Sequence, residues 1–144
     1  MKTAAVMNRN VVVVSPAVTV GAAAAMMQRL RIRHLPVVDD GRLAGIVSDR
    51  DLMRHDDETT CAEAMTPSPV VCSWDAPISR VARLMLDNKI DSVPVVNGPG
   101  RLIGLVTSAD LISLLLDRAE GDVVPFEFSL QLAASDAEAA AFAA

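Results

Sequence analysis

The chain of 144 residues fits one compact domain, and apolar residues make up 51 % of it, which is enough to bury a core. Aromatic residues make up only 3 %, so the chain offers no aromatic platform on which nucleic-acid bases could stack. The formal net charge is −5, but residues 1–116 hold twelve basic and twelve acidic side chains, and this balance excludes the basic surface that nucleic-acid binding requires.

The first third of the chain contains signals for five elements in the order β-α-β-β-α. These signals are β-branched runs for strands, apolar residues at helical spacing, an Asp-Gly turn and a hydroxyl that can cap a helix. They predict, in order, a strand Val11–Val14, a helix between residues 20 and 30, strands Pro36–Val38 and Leu43–Val47 around the turn Asp40-Gly41, and a helix capped by Ser48 or Asp49.

The same order returns in a second copy. Ile32–Val38 reappears as Ile90–Val96, and Arg42–Leu52 as Arg101–Leu111, at offsets of 58 and 59 residues. A repeat of this length indicates two copies of one supersecondary unit. A polar linker, His55–Thr59, is expected to be exposed, and a capping box Thr60-x-x-Glu63 opens a short helix into the second copy. The elements predicted after it are a strand Val70–Cys72, a helix from Ile78 to Met85 with Pro77 in its first turn, strands Pro94–Val96 and Leu102–Val106, and a helix capped by Thr107 or Ser108.

The acidic tail after residue 118 has two patterns of its own. Apolar residues alternate with polar ones from Phe126 to Leu132, which is the period of a half-buried strand. Ser135-x-x-Glu138 is suited to cap a short Ala-rich helix that ends at Phe142. The tail could cover an edge of the body, exchange across a dimer, dock on a partner or be disordered over its last ~10 residues.

Two features indicate a cytoplasmic protein. Val11–Val14 is too short to span a bilayer, and the polar stretch Asn8–Asn10 interrupts any signal-peptide core. Cys61 and Cys72 form no C-x-x-C pair and have no histidine at metal-ligand spacing, so we expect buried free thiols and no metal site.

The repeated pattern resembles the CBS domain pair, or Bateman module. The resemblance rests on Ile-x-x-h-Pro-Val-Val followed by Gly-h-h-Ser/Thr-x-x-Asp-h, where h is apolar, in both copies. It implies an α+β (α/β) fold of tandem CBS repeats, each β-α-β-β-α, with sheets related by a pseudo-two-fold axis and flanked by helices. We assign repeat 1 to residues 1–59, repeat 2 to 60–118 and the tail to 119–144.

The resemblance also implies two clefts between the repeats, where adenosine nucleotides or S-adenosyl compounds often bind. Each cleft takes its Ser/Thr-x-x-Asp from one repeat and its base-holding segment from the other. Carried over, cleft A combines Ser48, Arg50 and Asp51 with Val71, Ile90, Asp91 and Ser92. Cleft B combines Thr107 and Asp110 with Val12, Ile32, Arg33 and His34.

The chemistry of these residues suits an adenosine ligand. Asp51 and Asp110 can each accept two hydrogen bonds from a ribose diol. Ser48 and Thr107 lie at helix N-termini, where hydroxyl and backbone N–H groups can meet a phosphate. The alternative is that each Ser/Thr-x-x-Asp is an N-cap with an acid in the first turn, which is favourable without any ligand.

The two clefts differ in charge. Copy one has Arg33-His34 before its Leu-Pro, where copy two has Asp91-Ser92, so we expect cleft B to favour phosphorylated ligands. Cleft A would take a neutral or cationic adenosyl ligand or stay empty. Arg50, which stands where copy two has Ala109, could restore a positive charge to cleft A. Alternatively, these cations are simply solvated surface.

The sequence therefore predicts a regulatory module that binds an adenosine-containing ligand of the AMP, ADP, ATP, NAD or S-adenosylmethionine type. It would signal to an effector protein in trans, without a catalytic cofactor and without acting as an enzyme, because no catalytic constellation is found. The alternative is a ligand-independent scaffold with vestigial clefts. A homodimer is expected in both cases, since the helices are apolar on more than one face, through Met26, Met27, Leu84, Met85, Leu86, Leu114, Leu115 and Leu116.

Overall fold

The structure, a computed structural model, describes residues 1–118, 133 and 135–142, and it contains two copies of one unit. A short 3-10 helix, Thr3–Ala5, opens the chain. The first copy contributes α1 (Val20–Leu30), β1 (His34–Asp39), β2 (Arg42–Ser48) and α2 (Asp49–Met53). The second contributes α3 (Cys61–Ala64), β3 (Thr66–Pro67), β4 (Cys72–Ser73), α4 (Ile78–Asn88), β5 (Ser92–Asn97), β6 (Arg101–Thr107) and α5 (Ser108–Arg118), and α6 (Asp136–Phe142) follows in the tail.

Each copy is built around an antiparallel hairpin, β1–β2 in the first and β5–β6 in the second. The first hairpin turns through Asp40 (φ 51°) and Gly41 (φ 77°), the two positive φ angles that a two-residue hairpin turn requires. The Asp-Gly turn, both hairpins and the helices that flank them are therefore as predicted from the sequence.

The two hairpins lie side by side in one sheet of order β1-β2-β6-β5-β4, in which β3 pairs with β2. The opening segment of each copy crosses to the hairpin of the other copy. β3, which opens the second copy, pairs with β2. Asn8, near the start of the first, exchanges two backbone hydrogen bonds of 2.9 and 3.0 Å with Leu105 in β6. This exchange fixes the two copies against each other and so sets the geometry of the clefts between them.

Each copy has its own core of aliphatic side chains, packed between its helices and one face of its hairpin. Leu35, Val37 and Val47 are fully buried in the first copy, and Val81, Val93 and Val106 in the second. Burying each such side chain contributes about 1.5–3 kcal/mol. Met27 and Met85 also belong to these cores, so part of the apolar excess of the helices is used inside the subunit.

The two cysteines are free and buried, as predicted. Burial raises the pKa of the Cys61 thiol above its ordinary value. Burial likewise raises the pKa of Cys72, although a hydrogen bond with Thr3 and the charge of Arg80 act in the opposite direction. Both side chains are thus small apolar core residues and not reactive thiolates.

Both predicted opening strands are shorter than expected. In the run Val11–Val14 only Val14 pairs, through a bridge to Val37, so the prediction of a strand there was wrong. The predicted strand Val70–Cys72 is displaced to Cys72–Ser73. Each opening segment first contacts the hairpin of the other copy and then returns to its own. Only its last residues therefore lie beside their own hairpin and can pair with it in parallel.

The capping box predicted at Thr60-x-x-Glu63 is not formed. The Thr60 side chain makes no bond to the helix backbone, and its hydroxyl lies 3.4 Å from Glu63 Oε1 instead. The first N–H groups of α3 donate to carbonyls of the first copy, Cys61 to Val18 at 2.7 Å and Ala62 to Pro16 at 3.0 Å. Tertiary contacts therefore satisfy the donors that a capping box would have served.

In the tail, the predicted helix is present as α6, and Glu138 N donates to the Ser135 hydroxyl at 3.2 Å, as the capping pattern predicted. The strand predicted from Phe126 to Leu132 lies outside the described residues. Within the part of the chain that the structure describes, no helix has the length and apolarity to cross a membrane.

Candidate ligand clefts

The two Ser/Thr-x-x-Asp motifs lie where a hairpin passes into its closing helix. Ser48 caps α2: its hydroxyl accepts from Asp51 N at 3.1 Å, and Asp51 Oδ2 accepts from Ser48 N at 2.9 Å. Thr107 and Asp110 form the equivalent arrangement at α5, where Asp110 Oδ2 accepts from both Thr107 N (2.7 Å) and Thr107 Oγ1 (2.9 Å). The capping alternative is thus realised in both copies, and in each carboxylate it engages only Oδ2.

Cleft A is a cavity of about 660 Å³ between the start of α2 and the segment that joins α4 to β5. Six of its seven predicted residues line it, namely Ser48, Arg50, Asp51, Ile90, Asp91 and Ser92. Val71 does not, because side chains alternate along an extended segment. Val70 faces the cavity, Cys72 faces the core and Val71 points away from both, with 38 % of its surface exposed.

The walls of cleft A combine apolar and polar chemistry. Ile46, Pro69, Val70, Ile90 and Pro94 give a surface suited to a flat aromatic base. Oδ1 of Asp51 accepts no hydrogen bond from the described residues, so a carboxylate oxygen is available to a hydroxyl donor. The cavity can therefore hold an apolar ring together with a polar sugar.

Cleft B is smaller, about 350 Å³, and lies on the other side of the contact between the copies. Five of its six predicted residues come together there, namely Val12, Ile32, Arg33, His34 and Thr107. Asp110 does not line the cavity, because its two bonds to Thr107 hold the carboxylate against the start of α5.

A contact between His34 and Asp91 connects the two clefts. His34 Nε2 lies 2.9 Å from Asp91 Oδ1, and the His34 side chain is only 15 % exposed. Both residues line both cavities, although the sequence had assigned His34 to cleft B and Asp91 to cleft A. Arg33 also lines both cavities and pairs with Asp49 at 3.4 Å. The expected charge contrast between Arg33-His34 and Asp91-Ser92 is therefore reduced, because Arg33 is paired with Asp49, and His34 and Asp91 contact each other.

Two cations in the clefts were missed by sequence reasoning. Lys89 lines cleft A and Arg31 lines cleft B, and both are C-caps in the left-handed conformation at φ 54°. They are equivalent positions, 58 residues apart, each directly before the Ile of the repeated motif. That equivalence was the available signal, but nothing in the sequence indicated that these side chains would face the cavities.

Comparison with known proteins agrees with this architecture. Residues 4–58 and 61–117 each match the CBS domain. Over 97 residues the chain is 41 % identical to inosine-5′-monophosphate dehydrogenase of Mycobacterium leprae (strain TN). The matched region covers 65 % of this chain and 18 % of that protein. The chain therefore spans about a fifth of the length of this relative.

Two crystal structures show the same fold over nearly their whole length. The CBS domain pair of protein MJ0100, in complex with 5′-methylthioadenosine and S-adenosyl-L-methionine, has a TM-score of 0.77 at 28 % identity and covers 82 % of this chain and 98 % of its own. CBSX2 in complex with AMP also has a TM-score of 0.77, at 30 % identity, and covers 81 % of this chain and 97 % of its own.

Two repeated units, each with a helix and an antiparallel hairpin, exchange their opening segments and enclose two clefts, which defines a tandem-repeat module. The chain belongs to the CBS domain family and forms a CBS domain pair. The predicted α+β tandem fold is confirmed.

Proposed function

We propose that the protein is a regulatory sensor that binds an adenosine-containing ligand between its two repeats. The observation that carries this proposal is cleft A, where apolar walls and a carboxylate oxygen of Asp51 without a partner lie in one cavity of about 660 Å³. Support also comes from the AMP and S-adenosyl complexes of the related CBS pairs. The module acts as a regulator and not as an enzyme, and its location is the cytoplasm.

The site assignment that we propose follows from this geometry. In cleft A, Asp51 accepts the ribose hydroxyls, Ile90 packs on the base and Ser48 lies beside the sugar. In cleft B, Val12 and Ile32 hold the base and Thr107 is the polar contact. Asp110 remains the ribose acceptor proposed for cleft B, but it is the weaker of the two because its carboxylate lies outside the cavity lining.

The signal passes through the pair that both clefts share. A ligand in cleft A that hydrogen-bonds to Asp91, or one in cleft B that takes His34, competes with the 2.9 Å contact between the two side chains. Breaking that contact changes how the start of β1 meets the start of β5, and a ligand shifts this equilibrium by its differential affinity for the two states. The output is read in trans by an effector protein.

The rival candidate is a ligand-independent scaffold, and exposed apolar helix surface supplies the interaction surface that it requires. Leu86 on α4 is 73 % exposed, and Ile112, Leu115 and Leu116 on α5 are 59–70 % exposed within the described residues. We propose that a second copy of the chain covers this surface in a homodimer. The dimer is compatible with both candidates, so only ligand binding separates them.

Asp51→Ala tests the ribose assignment. It should weaken AMP binding by roughly 1.5–3 kcal/mol, the value of a hydrogen bond to a charged group, as measured by isothermal titration calorimetry. It should also cost about 1 kcal/mol of stability, because the carboxylate that accepts from Ser48 N in the capping box is lost. Asp110→Ala is the comparison variant, since it removes the equivalent carboxylate from the proposed cleft B site and should leave the affinity of AMP for cleft A unchanged. If both variants bind AMP as tightly as the wild type, Asp51 does not hold the ribose.

A further inference from the structure

Each acid of cleft A already has a partner for at least one of its oxygens. Asp49 pairs with Arg33 at 3.4 Å, Asp91 pairs with His34 at 2.9 Å, and Asp51 Oδ2 caps α2. The Lys and Arg side chains that line the cavity equal the Asp side chains in number, three against three. Because positive and negative side chains balance, the overall charge of the cleft neither attracts nor repels an anion. Its affinity for an anion therefore depends on which cations lack an acid partner and can hydrogen-bond to the anion directly.

Two cations of cleft A have no acid partner among the described residues. Neither Arg50 nor Lys89 has a carboxylate within 4.0 Å among the described residues, and both side chains line cleft A. They come from different repeats, Arg50 from the first turn of α2 and Lys89 from the end of α4. Two unpaired cations that line one cavity can contact a chain of phosphates at two points, whereas a single cation offers one.

Lys89 also occupies a strained position. Its φ of 54° is the left-handed conformation in which a helix usually ends on glycine. The chain therefore keeps a lysine side chain at a position where glycine would be favoured for folding. Such an outlier beside a cavity points to a role for the side chain in that cavity.

Cleft B lacks this arrangement. Its volume is about 350 Å³, roughly half that of cleft A. Ala109 stands at the position equivalent to Arg50, so Arg31 is the one lining cation with no acid partner among the described residues. The Arg33 and His34 side chains, from which the sequence predicted phosphate binding in cleft B, are paired with Asp49 and Asp91.

We infer that cleft A is the polyphosphate cleft, in which Arg50 and Lys89 bind the phosphates of an adenosine ligand that carries two or three of them. Cleft B takes a smaller ligand with one phosphate or none. This assignment rests on the proposed function and reverses the one expected from the dipeptides before the prolines.

Lys89→Gly separates binding from folding because it should affect them in opposite directions. Glycine relieves the left-handed backbone, so the melting temperature without ligand should rise by about 2–4 °C. ATP affinity, measured by calorimetry, should fall about tenfold, while adenosine affinity changes less than twofold. Arg50→Ala should produce the same selective loss of ATP affinity. Arg31→Gly is the matched variant, because it relieves the same strain and removes the same charge, but from cleft B. The affinity of cleft A for ATP should therefore stay unchanged.

Two results would overturn the inference: wild-type protein that binds ATP no more tightly than adenosine, or Arg31→Gly that weakens ATP as much as Lys89→Gly. If adenosine, AMP and ATP all fail to bind, the proposed function fails, and inorganic tripolyphosphate then decides the charge assignment. In amide NMR spectra of the full chain, shifts centred on residues 50 and 89 would support it. Shifts centred on Arg31, or no shifts, would refute it.

Discussion

Replacing Gly45 with alanine should lower the free energy of unfolding by about 3 kcal/mol, at the upper end of the range for overpacked sites. Gly45 is buried in β2, between Val37 of β1 and Pro67 of β3. A Cβ atom there would lie 2.7 Å from the Thr66 carbonyl oxygen and would collide with the Met65 side chain. Because a backbone atom is involved, relief requires β3 to move, and Thr66 of β3 also lines cleft A.

Gly104→Ala is the matched control, since Gly104 is the equivalent residue of the second copy. Its added Cβ would meet Met7 Sδ at 2.6 Å but the nearest backbone atom, Asn8 O, only at 3.2 Å. A flexible methionine can yield, so the loss should be near 1 kcal/mol. Urea unfolding measures both variants. If glycine merely weakened the strand, Gly45→Ala would stabilise the protein. That result would contradict the close contact of residue 45 with Met65 and Thr66.

Replacing Leu115 with glutamate should raise the dissociation constant of the proposed homodimer at least ~100-fold, because burying an unpaired carboxylate costs several kcal/mol. Leu115 is 67 % exposed on α5, beside the exposed Ile112 and Leu116. In a two-fold interface each substitution occurs twice, so the effect is doubled. Sedimentation equilibrium of the full chain gives the dissociation constant.

Val13→Glu is the control for that experiment. Val13 is an apolar side chain with 39 % exposure that lies outside α4 and α5, so the same change of charge should leave the dimer intact. A wild-type chain that sediments as a monomer at every concentration would refute the dimer. A Leu115→Glu protein that remains dimeric would place the interface elsewhere.

The hairpins and the helices that flank them could be predicted because several local signals agreed at each position. The Asp40-Gly41 turn, the β-branched strands and the Ser48 cap each favour the same element, and the second copy repeats most of them. The opening strands and the capping box at Thr60 could not be predicted correctly. The opening strands pair with hairpin residues more than 20 positions further along the chain, and the first N–H groups of α3 donate to carbonyls of the first copy. No local pattern contains that choice of partner.

For the clefts, the family resemblance identified most of the lining but not its charges. The pairing of His34 with Asp91 joins residues from different repeats, so it depends on how the two hairpins meet. The role proposed for Lys89 depends on a left-handed backbone that lysine does not favour by itself. Both features arise from tertiary structure, and they change the expected ligand preference of cleft A.

The most direct test of the central claim is the melting temperature of the full wild-type chain against AMP, ADP, ATP, NAD and S-adenosylmethionine. A ligand that binds only the folded state adds about 2.7 kcal/mol of stability at a hundredfold excess over its dissociation constant. We predict that at least one of these compounds raises the melting temperature by several degrees in a saturable manner. An unchanged melting temperature with all five at millimolar concentration would contradict the sensor and leave the scaffold as the better account.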